Sequence, residues 1–246
     1  MKFKFLTYAF AIGAFLSSCK KEDKSKPNTD YNRGNITVLT DDSFKSITEA
    51  IAGAYMINYP ETSVKVEVKK EDLGFLDLLN EKARLIVMSR ELNQQEIAEY
   101  ERITELKFNP AKFVADAVVF VVPIGSSKES ISLEEIQMKL QDGSRDLIFD
   151  GTNAGNLNFV AQKINKRPSD LKFSIIEGNE GVIRSLSDHP GRIGVISLNT
   201  ISRPYAKKAQ ELRSMIKILP ITVAANKTVS PTEDNLRNMS YPFTRV

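Results

Sequence analysis

Two apolar periods trade places along this chain. Ile36 to Thr40 is a short β-branched run, and Phe44, Ile47, Ile51 and Ala54 then recur at helical spacing. Val64, Val66 and Val68 return to the two-residue period of a strand. Phe75 to Leu79 opens another helix, and Leu85 to Met88 reads as a buried strand. Asn93 with Glu96 makes a capping box ahead of a helix that reaches about Arg102. Ala117 to Val122 (AVVFVV) is apolar on both faces, as in a strand covered by helices from two sides. Ser132 and Glu135 form a second capping box before Ile136 and Leu140. Beyond it the pattern predicts strands at Leu147 to Phe149, Ser174 to Ile176, Ile193 to Ile196 and Ile216 to Thr222. Helices are predicted between them, around Leu157 to Ile164 and Val182 to Leu186, and a polar, turn-rich end begins at Pro231. Repeated strand–helix units predict an α/β fold with a largely parallel sheet. The chain has no internal repeat.

The first residues break this pattern. Lys2 and Lys4 precede an apolar run from Phe5 to Leu16. The run is shorter than the roughly 20 residues of a membrane-spanning helix and sits where a signal peptide has its apolar core. It ends in Leu16-Ser17-Ser18-Cys19, which resembles the lipobox of bacterial lipoproteins. That resemblance implies cleavage after residue 18 and lipidation of Cys19, the only cysteine. Lys20 to Gly34 is charged and turn-forming, with almost nothing apolar, so 19–34 reads as a lipidated cysteine and a flexible tether. Lys20 is not an acidic inner-membrane retention signal, which favours the outer membrane in a host with two.

Composition narrows the classes. The net charge is +3, and loss of Lys2 and Lys4 leaves the mature chain near +1. A nucleic-acid-binding protein usually carries a marked basic excess or stripe, so that class is set aside. One cysteine and one histidine cannot build a Cys/His metal site, and no residue pattern calls for a cofactor. His189 has no nucleophile or acid at a suggestive spacing, so a catalytic triad is rejected and no enzyme activity is expected. A Walker A sequence and a bundle of apolar spans are both missing from the sequence, which excludes a transporter's ATPase and permease subunits.

The order of several short motifs resembles the phosphate-binding proteins of phosphate ABC transporters, members of the type 2 periplasmic-binding fold. The motifs are Ile36-Thr37-Val38 leading into Ser43-Phe44, then Met88-Ser89-Arg90-Glu91-Leu92, then Ala115-Asp116-Ala117 followed by Val118 to Pro123. Glu177-Gly178-Asn179-Glu180 and Pro190-Gly191-Arg192-Ile193-Gly194 follow, and the chain closes on Ser230-Pro231-Thr232 and Tyr241-Pro242-Phe243-Thr244-Arg245. The resemblance implies two lobes, each with a largely parallel sheet flanked by helices, that close on a ligand by hinge motion. Lobe 1 would hold 34–114 and 206–246, and lobe 2 would hold 115–205. The family continues past its tyrosine-proline motif into a strand and a closing helix. This sequence stops at Val246: either it is truncated, or this relative lacks the closing helix, which would leave part of a lobe uncovered.

The same resemblance implies where a ligand sits. Ser43 would offer its hydroxyl and Phe44 its N–H, although either Asp42 or Ser43 could equally be a plain N-cap. Ser89 and Arg90 follow a strand, and an arginine suits an oxyanion. Asp150 to Asn156 holds a glycine turn in which Gly155 and Asn156 would present N–H groups at a helix start. Asp150 falls near the family's arginine, so acid and base look exchanged across the cleft, and Arg90 and Asp150 are expected to face and pair with each other. Lys70-Glu71-Asp72-Leu73-Gly74 replaces a Gly- and Ser-rich turn of the family, with acids that would repel a phosphate. Two readings remain open. One is a lipoprotein that captures an inorganic oxyanion, phosphate foremost, for an ABC permease. The other is an envelope or surface interaction protein whose small-molecule site has drifted.

Overall fold

A computed structural model of the chain describes residues 32–224 and 227–246. The signal, Cys19 and most of the tether lie outside the described residues. The first sheet has strand order β2-β1-β3, all parallel: β1 (Arg33–Thr40), β2 (Glu61–Val68) and β3 (Leu85–Val87). Helix α1 (Lys45–Asn58) links β1 to β2, and α2 (Glu71–Leu79) links β2 to β3. Helix α3 (Gln94–Thr104) follows, headed by the full capping box of Asn93 and Glu96 that the sequence predicts.

Residues 105–115 carry the chain irregularly to β4 (Asp116–Pro123). Residues Ala117 to Val121 of this strand are completely buried. They stay dry because β4 has neighbours on both edges. β8 (Ile193–Ser197) runs antiparallel along one, and β9 (Ile216–Leu219) and β12 (Thr244–Arg245) share the other. Beyond β8 lie β6 (Leu147–Phe149) and β7 (Ser174–Ile175), both parallel to their neighbours. A small third sheet joins β5 (Ile131–Ser132), β10 (Ile221–Ala224) and β11 (Lys227–Val229). The covering helices are α4 (Leu133–Lys139), α5 (Gly155–Lys163), α6 (Asn179–Ser185), α7 (Asn199–Ser202), α8 (Lys207–Met215) and α9 (Glu233–Arg237). The expected α/β architecture of parallel-rich sheets flanked by helices is what the chain builds.

Two details differ from the sequence reading. The late run Ile216 to Thr222 is two strands, because Pro220 lacks an N–H for a continuous ladder and the chain changes sheets there. The end after Pro231 is not merely polar: Tyr241 and Phe243 are fully buried, and Phe243 packs edge-on against Phe120 with ring centroids 5.1 Å apart. In the last part of the chain β9 pairs with β4, β10 with β5 and β11 with β10, and the main core is drawn from residue 117 onward. A strand apolar on both faces needs cover on both sides and a partner at each edge, and the chain's return supplies one edge. The first lobe is correspondingly thin, with Ile51, Leu76 and Leu85 about half exposed.

Candidate functional site

Ligands of open α/β sheets sit beyond the carboxyl ends of the strands, and here those ends meet. β1 runs into Asp41 and a 3-10 turn at Asp42–Phe44; β2 into Lys70 and Glu71; β3 into Ser89 and Arg90. From the second lobe come Asp150 to Asn156 after β6, Glu177 to Asn179 after β7, and Ser197 to Asn199 after β8. Asp41, Ser43, Glu71, Ser89, Asp150, Asn156 and Asn179 are all buried. Polar groups of this number survive burial only when hydrogen-bonded, and these largely are.

The two walls touch. The Gly155 N–H at the start of α5 donates to Asp41 Oδ2 of the first lobe at 3.2 Å. Ser89 donates from both N–H and Oγ to Glu71 Oε2, at 2.7 and 2.6 Å. A Cβ on Gly155 would stand 2.5 Å from Ser89 Oγ and 3.0 Å from Glu71 Oε2, so only glycine fits between the lobes at this point. The Asn156 amide donates to Asp150 Oδ2 at 3.1 Å and Asn179 Oδ1 at 2.8 Å. The Asn179 amide donates to Asp150 Oδ2 at 3.1 Å and Asp42 Oδ2 at 3.3 Å. Ser43 Oγ donates to Asn156 Oδ1 at 3.4 Å. Lys70 reaches across to the Asp150 carbonyl at 3.1 Å and to Glu177 at 2.9 Å. Asn158 donates to Asp72 at 2.8 Å.

Burial controls the charges. It pushes Asp150 up to about 7, and the neighbouring Asp41 carboxylate adds to the rise. Its Oδ1 has no hydrogen-bond partner, which leaves a place for a proton. Burial also raises Glu71, partly offset by the two Ser89 donors. For Lys70 burial works against the charge, but the Glu177, Asp150 and Asp41 carboxylates outweigh it and its pKa rises.

Beneath the cleft lies a second cluster. The Arg245 guanidinium is buried and pairs with Asp116 at 2.8 and 3.2 Å. It lies 4.8 Å from the centroid of the Phe44 ring and 5.8 Å from that of Phe159, within cation–π range. Asp116 also accepts from Ser197 Oγ at 2.7 Å and the Asn199 N–H at 2.9 Å. A cavity of about 260 Å³ lined by Phe44, Asp116 and Asn199 adjoins this crossover.

Of the residues that the sequence singled out, Ser43, Ser89, Asp150, Gly155 and Asn156 come together, and Phe44 forms the floor beneath Arg245. Arg90 does not meet Asp150. Its guanidinium is held by Glu96 at 2.8 Å, Asp72 at 3.2 Å and Glu71 at 3.2 Å, all on its own lobe. The expected exchange of acid and base across the cleft is therefore incorrect: three nearby carboxylates claim the arginine, while two asparagine amides donate to Asp150 Oδ2. Asp41 and Asn179 were not among the expected ligand residues, nor was Arg245 beneath them, and Lys70 and Glu71 were expected only as part of a turn hostile to phosphate. Asp41 lies two residues before Ser43, and Asn179 and Arg245 stand inside motifs that carry the family resemblance. Position at a strand end was the available signal for Lys70 and Glu71.

A family model described as the PBP superfamily domain matches residues 25–246. Comparison with curated protein sequences gives no match. Among solved structures, a phosphate ABC transporter substrate-binding protein of Clostridium perfringens, with bound phosphate, superposes with a TM-score of 0.68 at 14% identity, covering 86% of this chain and 84% of that one. An ABC-type phosphate transport receptor of Vibrio cholerae gives 0.61 at 17% identity, covering 85% and 84%. At these identities the likenesses show the fold.

Proposed function

The chain belongs to the PBP superfamily domain family, and on that premise we propose that it is a solute-binding lipoprotein taking an inorganic oxyanion, phosphate foremost, between its lobes for an ABC permease. One observation carries the reading. Donors from the two lobes, the Gly155 N–H and the Ser89 N–H and hydroxyl, converge where strands end, and each already donates to an oxygen of an anion, a carboxylate of the chain. Groups that donate to a carboxylate oxygen can donate to a phosphate oxygen in its place. The phosphate-bound relative from Clostridium perfringens, sharing the fold, supports the choice of anion. The reading is of a binding protein, the role named for the solved structures that share the fold.

Phosphate is expected to raise the melting temperature of the protein, and sulfate to raise it less, because a protonated oxyanion can donate to a buried carboxylate. A ligand at about 100 times its Kd stabilises by about 2.7 kcal/mol, well within reach of a thermal-shift measurement. Flat melts with phosphate, sulfate and small organic anions would remove this reading. They would favour the second one, an envelope interaction protein with a drifted site, which has its own support: the buried carboxylates of Asp41, Glu71 and Asp150 make the cleft acidic.

The anchor is part of the same proposal. No helix among the described residues is long and apolar enough to cross a membrane, and Cys19 stands in a lipobox-like sequence. Cys19→Ser is expected to preserve the far-UV circular dichroism spectrum and to move the protein from the membrane fraction to the soluble one. A processed variant that still sediments with membranes would exclude lipid anchoring through this residue.

A further inference from the structure

The cleft is closed around the chain's own carboxylates. Helix α5 is preceded at its N-cap by Ala154, whose side chain cannot cap it. Its first N–H, on Gly155, is capped instead by Asp41 from the other lobe. The same Asp41 carboxylate uses its other oxygen to accept the Ser43 N–H at 3.1 Å, which holds it rigidly at the end of β1. Glu71 lies at the neighbouring strand end, since β1 and β2 run in parallel register up to Thr40 and Val68. Its Oε2 takes both donors of Ser89 and would be 3.0 Å from a Cβ on Gly155. Fully buried Asp150 closes the far side with an unpartnered Oδ1.

We propose that Asp41 and Glu71 act as an internal ligand: they occupy the donor positions of the cleft, hold the lobes together in the absence of solute, and must be displaced for an oxyanion to enter. This rests on the oxyanion reading for the identity of the solute, but not for the closure itself. The affinity of such a protein is lowered by the fraction of molecules whose donors are free. The two carboxylates therefore set a threshold, admitting only a solute that offers more to Gly155 and Ser89 than a tethered carboxylate does. Phosphate, with several oxygens for several donors, meets that condition better than a monocarboxylate.

Two isosteric changes isolate the effect. Asp41→Asn keeps an oxygen for the Ser43 N–H and turns an amide N–H toward that of Gly155. Glu71→Gln keeps an oxygen for Ser89 and removes the charge. Small-angle scattering of the whole protein without ligand, and calorimetric titration with potassium phosphate at one pH, read the outcome. The double variant is expected to show a larger radius of gyration than the wild type, to contract on adding phosphate, and to bind it about tenfold tighter or more, the scale of one charge-assisted hydrogen bond. A folded double variant whose ligand-free scattering superimposes on that of the wild type overturns the proposal, whatever its affinity. A double variant that expands while neither it nor the wild type binds phosphate or sulfate upholds the internal ligand and overturns the oxyanion reading. If circular dichroism shows the double variant unfolded, Asp41→Asn alone decides by the same scattering criterion.

Discussion

Asp116→Ala is expected to destabilise the fold by about 3–5 kcal/mol, because it leaves the Arg245 guanidinium buried with no partner charge. One carboxylate here satisfies three parts of the chain. It accepts from Arg245 in β12, from Ser197 in β8 and from the Asn199 N–H at the start of α7. It also opens β4, the strand by which the chain enters its main core. The loss would lower the melting temperature by roughly 10 °C for a chain of this size, at about 2–4 °C per kcal/mol. Removing both charges as Asp116→Leu with Arg245→Met should recover part of the loss, since an apolar pair of similar volume replaces a buried ion pair at little cost. Guanidinium unfolding of the single and double variants checks this. A loss under about 1 kcal/mol for Asp116→Ala, the size of an exposed pair, would show that water reaches Arg245.

Asp150→Asn is expected to stabilise the protein at neutral and alkaline pH and to do little in acid. The folded state raises this carboxyl from its ordinary 3.8 to about 7, first by burial and then by the charge of Asp41. A raised carboxyl favours the protonated form in the folded state. Its contribution is therefore fully present below about pH 3.8 and is lost as pH rises through about 7. Each factor of ten in proton affinity is worth about 1.4 kcal/mol, so the full loss amounts to about 4 kcal/mol above pH 8. Lys70 and Arg245 act the other way on the same carboxyl, and Asp42 approaches it through the Asn179 amide. Asparagine copies the protonated acid: its oxygen can accept from the Asn156 and Asn179 amides, and its amide fills the position of the unpartnered Oδ1. Urea unfolding of both proteins from pH 4 to pH 8.5 reads the effect. The curves should coincide in acid and separate through neutrality, with the variant above. Parallel curves would mean that Asp150 stays ionised throughout.

Much of the fold was legible because it depends on local pattern. The run Ala117 to Val122 carries its burial in its own composition, and Asn93 with Glu96 states a helix start within four residues. Val64, Val66 and Val68 show a strand by period alone. The pairing of that pattern was not legible. Whether Ile216 to Leu219 completes one lobe or the other depends on which sheet edge is open, and nothing near those residues says so. The signal for a break at Pro220 was present, since proline lacks the donor that a continuous strand needs.

The candidate site divides in the same way. Strand ends and glycine turns pointed to Ser43, Ser89, Gly155 and Asn156, because a free N–H at a helix start is a local property of backbone. The partners of those donors are separated by long stretches of sequence, as Asp41 is from Gly155 across 114 positions. Charge by itself misled: Arg90 and Asp150 carry opposite signs at matching strand ends, yet Arg90 is taken by Glu71, Asp72 and Glu96 nearby. The sequence by itself determined the α/β pattern and the family, which depend on backbone period and on groups close together along the chain. Only the tertiary structure decided that β9 and β12 pair with β4 and that the carboxylates of Asp41 and Glu71 take the donors of Gly155 and Ser89. Competition among distant partners for a limited number of buried donors is settled by packing in three dimensions, where desolvation makes each unpaired group costly.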